Sequence, residues 1–115
     1  MKKRVINICL FIFIIIELIF AAKFKIVIGS GMSMSPTIDE HQVLLCQYDN
    51  NYSVNDVVLY EVDGLSIVHR ITHVTEYKLE NGVIIKTYRT KGDNNDSNDI
   101  FELYEENIIC KVVGI

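Results

Sequence analysis

The block "VINICLFIFIIIELIFAA", Val5 to Ala22, constrains this chain more than any other feature. As an α-helix its residues rise about 27 Å, close to the hydrocarbon thickness of a bilayer. Only Asn7 and Glu17 interrupt the apolar run, and a basic tip, Lys2, Lys3 and Arg4, precedes it. A cleavable signal peptide shares the basic start, but it has a shorter core and a small residue three positions before the cut. For a cut after Ala22 that position holds Phe20. The run therefore reads as an uncleaved membrane anchor. The basic tip and terminal amine outweigh Lys23 and Lys25 at the other end, which puts the N-terminus in the cytoplasm and the remainder outside. Glu17 reads as an acid near the outer interface that reaches for water.

The remaining length suits one domain, so the expected division is 1–25 as tip and anchor and 26–115 as an extracytoplasmic domain. The charge splits the same way. Residues 1–25 carry five basic groups and one acidic, a net of +4, and residues 26–115 carry 6 basic and 14 acidic, a net of −8. A domain this acidic is a poor nucleic-acid binder, and anionic headgroups repel it. Membrane association is thus expected from the anchor alone. Of the three cysteines, Cys9 lies in the apolar block as a small hydrophobe. Cys46 and Cys110 lie in strand-like runs, and with no framework or metal spacing they read as two buried free thiols.

Past the anchor the pattern turns to short runs rich in Val, Ile and Tyr: "KIVIG", "HQVLLCQY", "NDVVLYEV", "LSIVHRITHV", "VIIKTYRT" and "NIICKVVGI". Turn residues separate them, with Asp63-Gly64 and Asn81-Gly82 as hairpin signals. No other stretch has a helical period. The expected fold is all-β, a small β domain on one N-terminal transmembrane helix. The last run ends at Ile115 without a stop signal, which suggests a minimal domain or a shortened product.

Three stretches carry chemistry. In "LSIVHRITHV" strand alternation puts His69 on one face with Leu65, Ile67, Ile71 and His73. Burial disfavours a charged imidazole, and the neutral ring is what a general base needs. A core histidine bonded to a backbone carbonyl would look the same. The loop "TKGDNNDSND" holds Asp93, Asp96 and Asp99. It fails as a calcium loop, since its glycine precedes the acids and no closing Glu follows. It fits either solvated turn chemistry or an aspartate that orients a histidine. The stretch "SGMSMSPTI" supplies a serine nucleophile candidate, Ser33, with Gly31 permitting close backbone approach and Pro36 stiffening the segment. Met34 would press on a membrane or line a pocket.

Taken together these residues resemble the type I signal peptidases, the S26 family of serine peptidases. The family's G-x-S-M-x-P-T box is met by Gly31-Met32-Ser33-Met34-Ser35-Pro36-Thr37, and a G-D-V-V-like strand by "NDVVLY" with Asn55 for Gly. "VHRI" carries His-Arg, as in the endoplasmic-reticulum-type branch, where the usual bacterial branch has a lysine base. The K-G-D-N-N box and its later aspartate match Lys91 to Asn95 and Asp99. The resemblance runs from the anchor to about residue 113.

The resemblance implies an all-β catalytic domain that cuts signal peptides of secretory preproteins after small residues, with no metal or organic cofactor. It implies Ser33 as nucleophile, His69 as base, Asp99 as its partner and Asp93 in support, with Gly31, Met34 and Pro36 at the oxyanion and substrate side. Many relatives carry a serine where Gly31 stands, so the oxyanion would rest on the Ser33 backbone N–H and a second donor, for which Ser30 is a candidate. The implied location is the plasma membrane, single-pass, or the endoplasmic reticulum membrane in a eukaryote. Partner subunits are left open. The alternative is a catalytically inactive, membrane-anchored binding module on the same fold; the intact Ser33, His69, Asp93 and Asp99 favour the enzyme.

Overall fold

In the computed structural model, which describes residues 2–115, the apolar block forms helix α1, Lys2–Lys23. None of its residues is buried, and it is long and apolar enough to cross a membrane. Strand β1, Phe24–Ile28, follows without a linker. The Phe20 and Phe24 rings stack 5.1 Å apart across this junction, and the Tyr48 N–H donates to the Lys23 carbonyl at 2.9 Å. The helix end is thereby tied to the sheet rather than hung on a flexible tether.

Six further strands follow: β2 Val43–Gln47, β3 Val57–Val62, β4 Leu65–Lys78, β5 Ile84–Lys91, β6 Leu103–Tyr104 and β7 Ile108–Gly114. They form one antiparallel sheet in the order β1-β2-β7-β3-β4-β5-β6. The all-β expectation holds, and both hairpin signals mark turns. Asp63 and Gly64 adopt positive φ of 50° and 79°, the left-handed pair that a two-residue hairpin needs between β3 and β4. Gly82, at φ 84°, turns β4 into β5.

Two elements were not legible in the strand pattern. β6 is only two residues long, and a 3₁₀ turn, Glu105–Asn107, leads from it into β7. β6 exists because Leu103 is fully buried with Tyr60, Ile71, Tyr88 and Ile108, which pins so short a strand to the sheet edge. The face assignment of β4 also needs correcting at one residue. The register with β5 shifts between Ile71 and His73, so Thr72 is an extra residue and the alternation flips. Ile67, Ile71 and then Val74 face the core, while His73 is exposed and bonds only to Thr72.

The cysteine expectation is overturned. Cys46 on β2 and Cys110 on β7 form a disulfide, with Cα atoms 5.6 Å apart and both residues fully buried. The two lie 64 residues apart in sequence, and a chain closure that long lowers unfolded-state entropy by roughly 4 kcal/mol equivalent. Strand-like spacing alone did not reveal the pair, because they become neighbours only when β7 inserts between β2 and β3.

Leu103→Ala should lower unfolding stability by about 2–5 kcal/mol, read as a shift in the urea midpoint of the full chain. A loss below about 1 kcal/mol would mean that β6 is not held by this side chain.

Candidate active site

The segment between β1 and β2 carries Ser33. It is a built loop, not a free one. Gly29 N–H donates to the Gln42 carbonyl, and His41 N–H donates back to Gly29, closing its base. Met34 and Ile38 are each 4% exposed and pack with Leu44, so the loop is plugged into the core on both sides of Pro36. Met34 therefore faces inward and is not presented to a membrane. Gly31 has φ +78°, a left-handed conformation that favours glycine. The Ser35–Pro36 bond is cis, and Pro36 is exposed and does not line the cleft.

His69 arrives from β4, held opposite Val58 of β3. Asp99 arrives from the loop after β5, whose end is folded back by the Asp99 N–H on the Thr90 carbonyl. The three side chains meet in line. Ser33 Oγ lies 2.9 Å from His69 Nε2, and His69 Nδ1 lies 2.5 Å from Asp99 Oδ2. A carboxylate only accepts, so Nδ1 carries the proton and Nε2 offers its lone pair to the Ser33 hydroxyl. His69 is 7% exposed, with the Tyr60 ring set edge-on at 6.4 Å.

Asp99 has two further donors that the sequence motifs did not single out, Tyr60 Oη at 2.9 Å and Thr90 Oγ1 at 2.7 Å. Burial pushes the Asp99 carboxyl up, but the bonds from His69, Thr90 and Tyr60 together outweigh it and hold the group below 3.8. The same burial raises the Tyr60 phenol, so it stays a donor. Alternation along "NDVVLYEV" and "TYRTK" puts Tyr60 and Thr90 on inward faces, which was the available signal; their convergence on one oxygen was not.

Asp93 stands apart from the histidine. It takes a bidentate pair from Arg70, Nε to Oδ1 and Nη2 to Oδ2, both at 2.9 Å, and a third bond from Thr37 Oγ1 at 2.7 Å. The Arg70 bonds dominate its low carboxyl pKa, with burial opposing and Thr37 assisting. Arg70 follows His69 and Thr37 follows the Ser33 turn, so Asp93 joins the two segments. Asn94 completes the clasp: its N–H donates to the Ser33 carbonyl at 2.8 Å and its side-chain amide to the Met32 carbonyl at 3.1 Å. Gly92 allows this approach. A Cβ there would stand 2.6 Å from the Ser33 carbonyl oxygen and 3.0 Å from His69 Nε2.

Ser33 and His69 open onto a cleft of about 450 Å³. Val27, Ile28 and Gly31 line it from the β1 side, Ser66, Ile67 and Val68 from β4, and Leu59 from beneath. Ser30 also lines it. Both walls have backbone free to pair. β1 pairs only with β2, and β4 meets β5 only from Arg70 onward, which leaves Leu65–His69 unpaired on that edge. Among the described residues, no group of three or more His, Cys, Asp or Glu side chains is placed to hold a metal ion.

A serine, a histidine and a half-buried aspartate in hydrogen-bonded sequence is the arrangement used by serine hydrolases on several unrelated folds. Among known proteins, the chain is similar to one set of curated relatives. Over 78 residues the chain is 37% identical to the signal peptidase complex catalytic subunit SEC11 of Saccharomyces cerevisiae strains YJM789, RM11-1a and JAY291. The match covers 65% of this chain and 44% of the yeast proteins, so the chain spans less than half the length of the curated relatives it matches. The resemblance to the endoplasmic-reticulum-type branch of the type I signal peptidases is thus borne out as a partial match. No family model matches the chain, and no solved structure matches it significantly.

Gly92→Ala should depress turnover at least about 10²-fold while the domain stays folded, because the new methyl must displace Ser33 or His69. Near-normal turnover would show that the clasp has slack. Both Asp93 and Asp99 bind protons more weakly folded than unfolded. Their stabilisation is therefore complete above the ordinary value of 3.8 and drains away as pH falls through the lower folded values. Urea midpoints should fall on acidification below about pH 4, and less steeply in Asp93→Asn.

Proposed function

We propose that this chain is a membrane-anchored serine endopeptidase that removes signal peptides from exported preproteins by cutting after small residues. The observation that carries this reading is the unbroken line from Ser33 Oγ through His69 to Asp99 Oδ2, opening onto a cleft with free strand edges. In this reading Ser33 attacks the scissile carbonyl. His69 takes the hydroxyl proton and passes it to the leaving amine, and Asp99 holds the ring and stabilises it when charged. The similarity to SEC11 supports the substrate class.

An extended peptide would lie between β1 and the free part of β4, adding as a strand while aliphatic walls select small side chains. Residues 1–25 act as tip and anchor and 26–115 as the catalytic domain, with the N-terminus cytoplasmic and the site outside, at the plasma membrane, or at the endoplasmic reticulum membrane in a eukaryote. Ser33 lies ten residues beyond Lys23, so the nucleophile works close to the lipid surface, where the cut site of a membrane-held signal peptide also lies. Sharing that surface raises the effective concentration of one for the other.

The test is co-expression with a preprotein carrying an Ala-x-Ala cut site, in a host depleted of its own signal peptidase. Wild type should release the mature protein, and Ser33→Ala and His69→Ala should not, with all three folded and inserted. Asp99→Ala should lose about 10⁴-fold in kcat and Asp93→Ala about 10²-fold, since only Asp99 touches the base. Processing by Ser33→Ala would overturn the mechanism. A folded wild type that processes nothing would favour an inactive binding module.

A further inference from the structure

We propose that Cys46 and Cys110 are positioning residues for this site, and that their disulfide keeps the Ser33 half of the cleft registered against the His69 half. The inference rests on the peptidase reading above. In the sheet order β1-β2-β7-β3-β4, the nucleophile loop springs from β1 and β2 and the base stands on β4. Within the sheet, the connection between them passes through β7. That strand is the weak joint. It meets β2 through three register pairs and β3 through three, each set broken by a shift, against six pairs for β3 with β4 and eight for β4 with β5.

The disulfide crosses this joint where the cleft needs it. Both sulfur-bearing residues are fully buried, and they pack with Leu59, Val27 and Val68. Those three residues line the cleft, Val27 on the Ser33 wall, Val68 beside His69 and Leu59 beneath. With the bond closed, β2 cannot slide along β7, and Val27 and Val68 keep their spacing. The Asp93 and Asn94 clasp ties the same two halves from the other side through polar bonds that water can compete for. Opening the disulfide leaves the clasp alone to hold the Ser33–His69 contact.

Activity is then redox-dependent. A dithiol reductant attacks one sulfur through its thiolate, and its second thiol resolves the mixed disulfide. Cys46 and Cys110 each end as a thiol, and the reductant leaves as its own disulfide. The bond has no exposed surface, so this step follows local opening of the joint rather than direct attack on the closed form.

The experiment compares three forms of the full chain in phospholipid vesicles, all carrying Cys9→Ser so that no other thiol reports. They are the oxidised protein, the same protein after dithiothreitol, and Cys46→Val with Cys110→Val, which keeps an apolar pair without the bond. Thiol alkylation gives the disulfide fraction, and thermal unfolding verifies that each form is folded at the assay temperature. For an Ala-x-Ala peptide substrate, kcat/KM should fall roughly 10- to 100-fold in the reduced and valine forms, with KM raised. Reoxidation with oxidised glutathione should restore the first form and leave the valine form unchanged. A protein that is merely less stable would keep its KM.

Full activity with unchanged KM in the folded valine form overturns the proposal. So does loss of activity in that form on adding dithiothreitol, since it has no bond to open. If the valine form does not fold, activity that fails to track the disulfide fraction in the titrated protein overturns it equally. Inactivity of the oxidised protein would sink the peptidase reading and this inference with it. Activity in all three forms would remove only the inference.

Discussion

The ion pair between Arg70 and Asp93 is the interaction on which the site's assembly depends. Two segments 36 residues apart, the Ser33 turn and strand β4, have no backbone pairing with each other. Asp93 reaches both, through two bonds from Arg70 and one from Thr37. Hydrogen bonds to a charged group are worth about 1.5–3 kcal/mol each, roughly twice a neutral pair, so a carboxylate holds this junction better than an amide would. Its neighbours Gly92 and Asn94 complete the junction from the same loop, one by having no side chain and the other by bonding the Ser33 turn twice.

The two aspartates of one loop thus do different physical work, and their surroundings separate them. Asp93 sits between cations and hydroxyls at the half-buried rim. Asp99 sits deeper, where Tyr60, Thr90 and His69 all donate to one oxygen. Losing any single donor there leaves the others, which makes the His69 orientation a property of the network. Covalent closure of the β2–β7 joint belongs to the same logic. The sheet supplies the scaffold, and the loops, clasp and disulfide bring its two halves into register.

Much of this was readable in the chain. Alternating apolar runs and the Asp63-Gly64 turn marked the sheet, and the box order placed Ser33, His69, Asp93 and Asp99 among the candidates. The local pattern misled at Thr72, where one extra residue flips the strand and exposes His73. It missed β6, since two residues carry no period and only the burial of Leu103 defines them. Tyr60 and Thr90 were not singled out: alternation alone could place them inward, but nothing local marks them as donors to Asp99.

The amino-acid sequence by itself determined the class of architecture: a helix apolar enough to span a bilayer and a β domain of short strands. Those follow from local periodicity and residue type, which act within a few positions. The tertiary structure alone decided that Tyr60 and Thr90 join His69 on Asp99, that Asp93 clasps the Ser33 turn to Arg70, and that Cys46 and Cys110 are joined. Each depends on segments far apart in the chain becoming neighbours. That is set by strand order, and above all by β7 entering between β2 and β3, which no local pattern encodes.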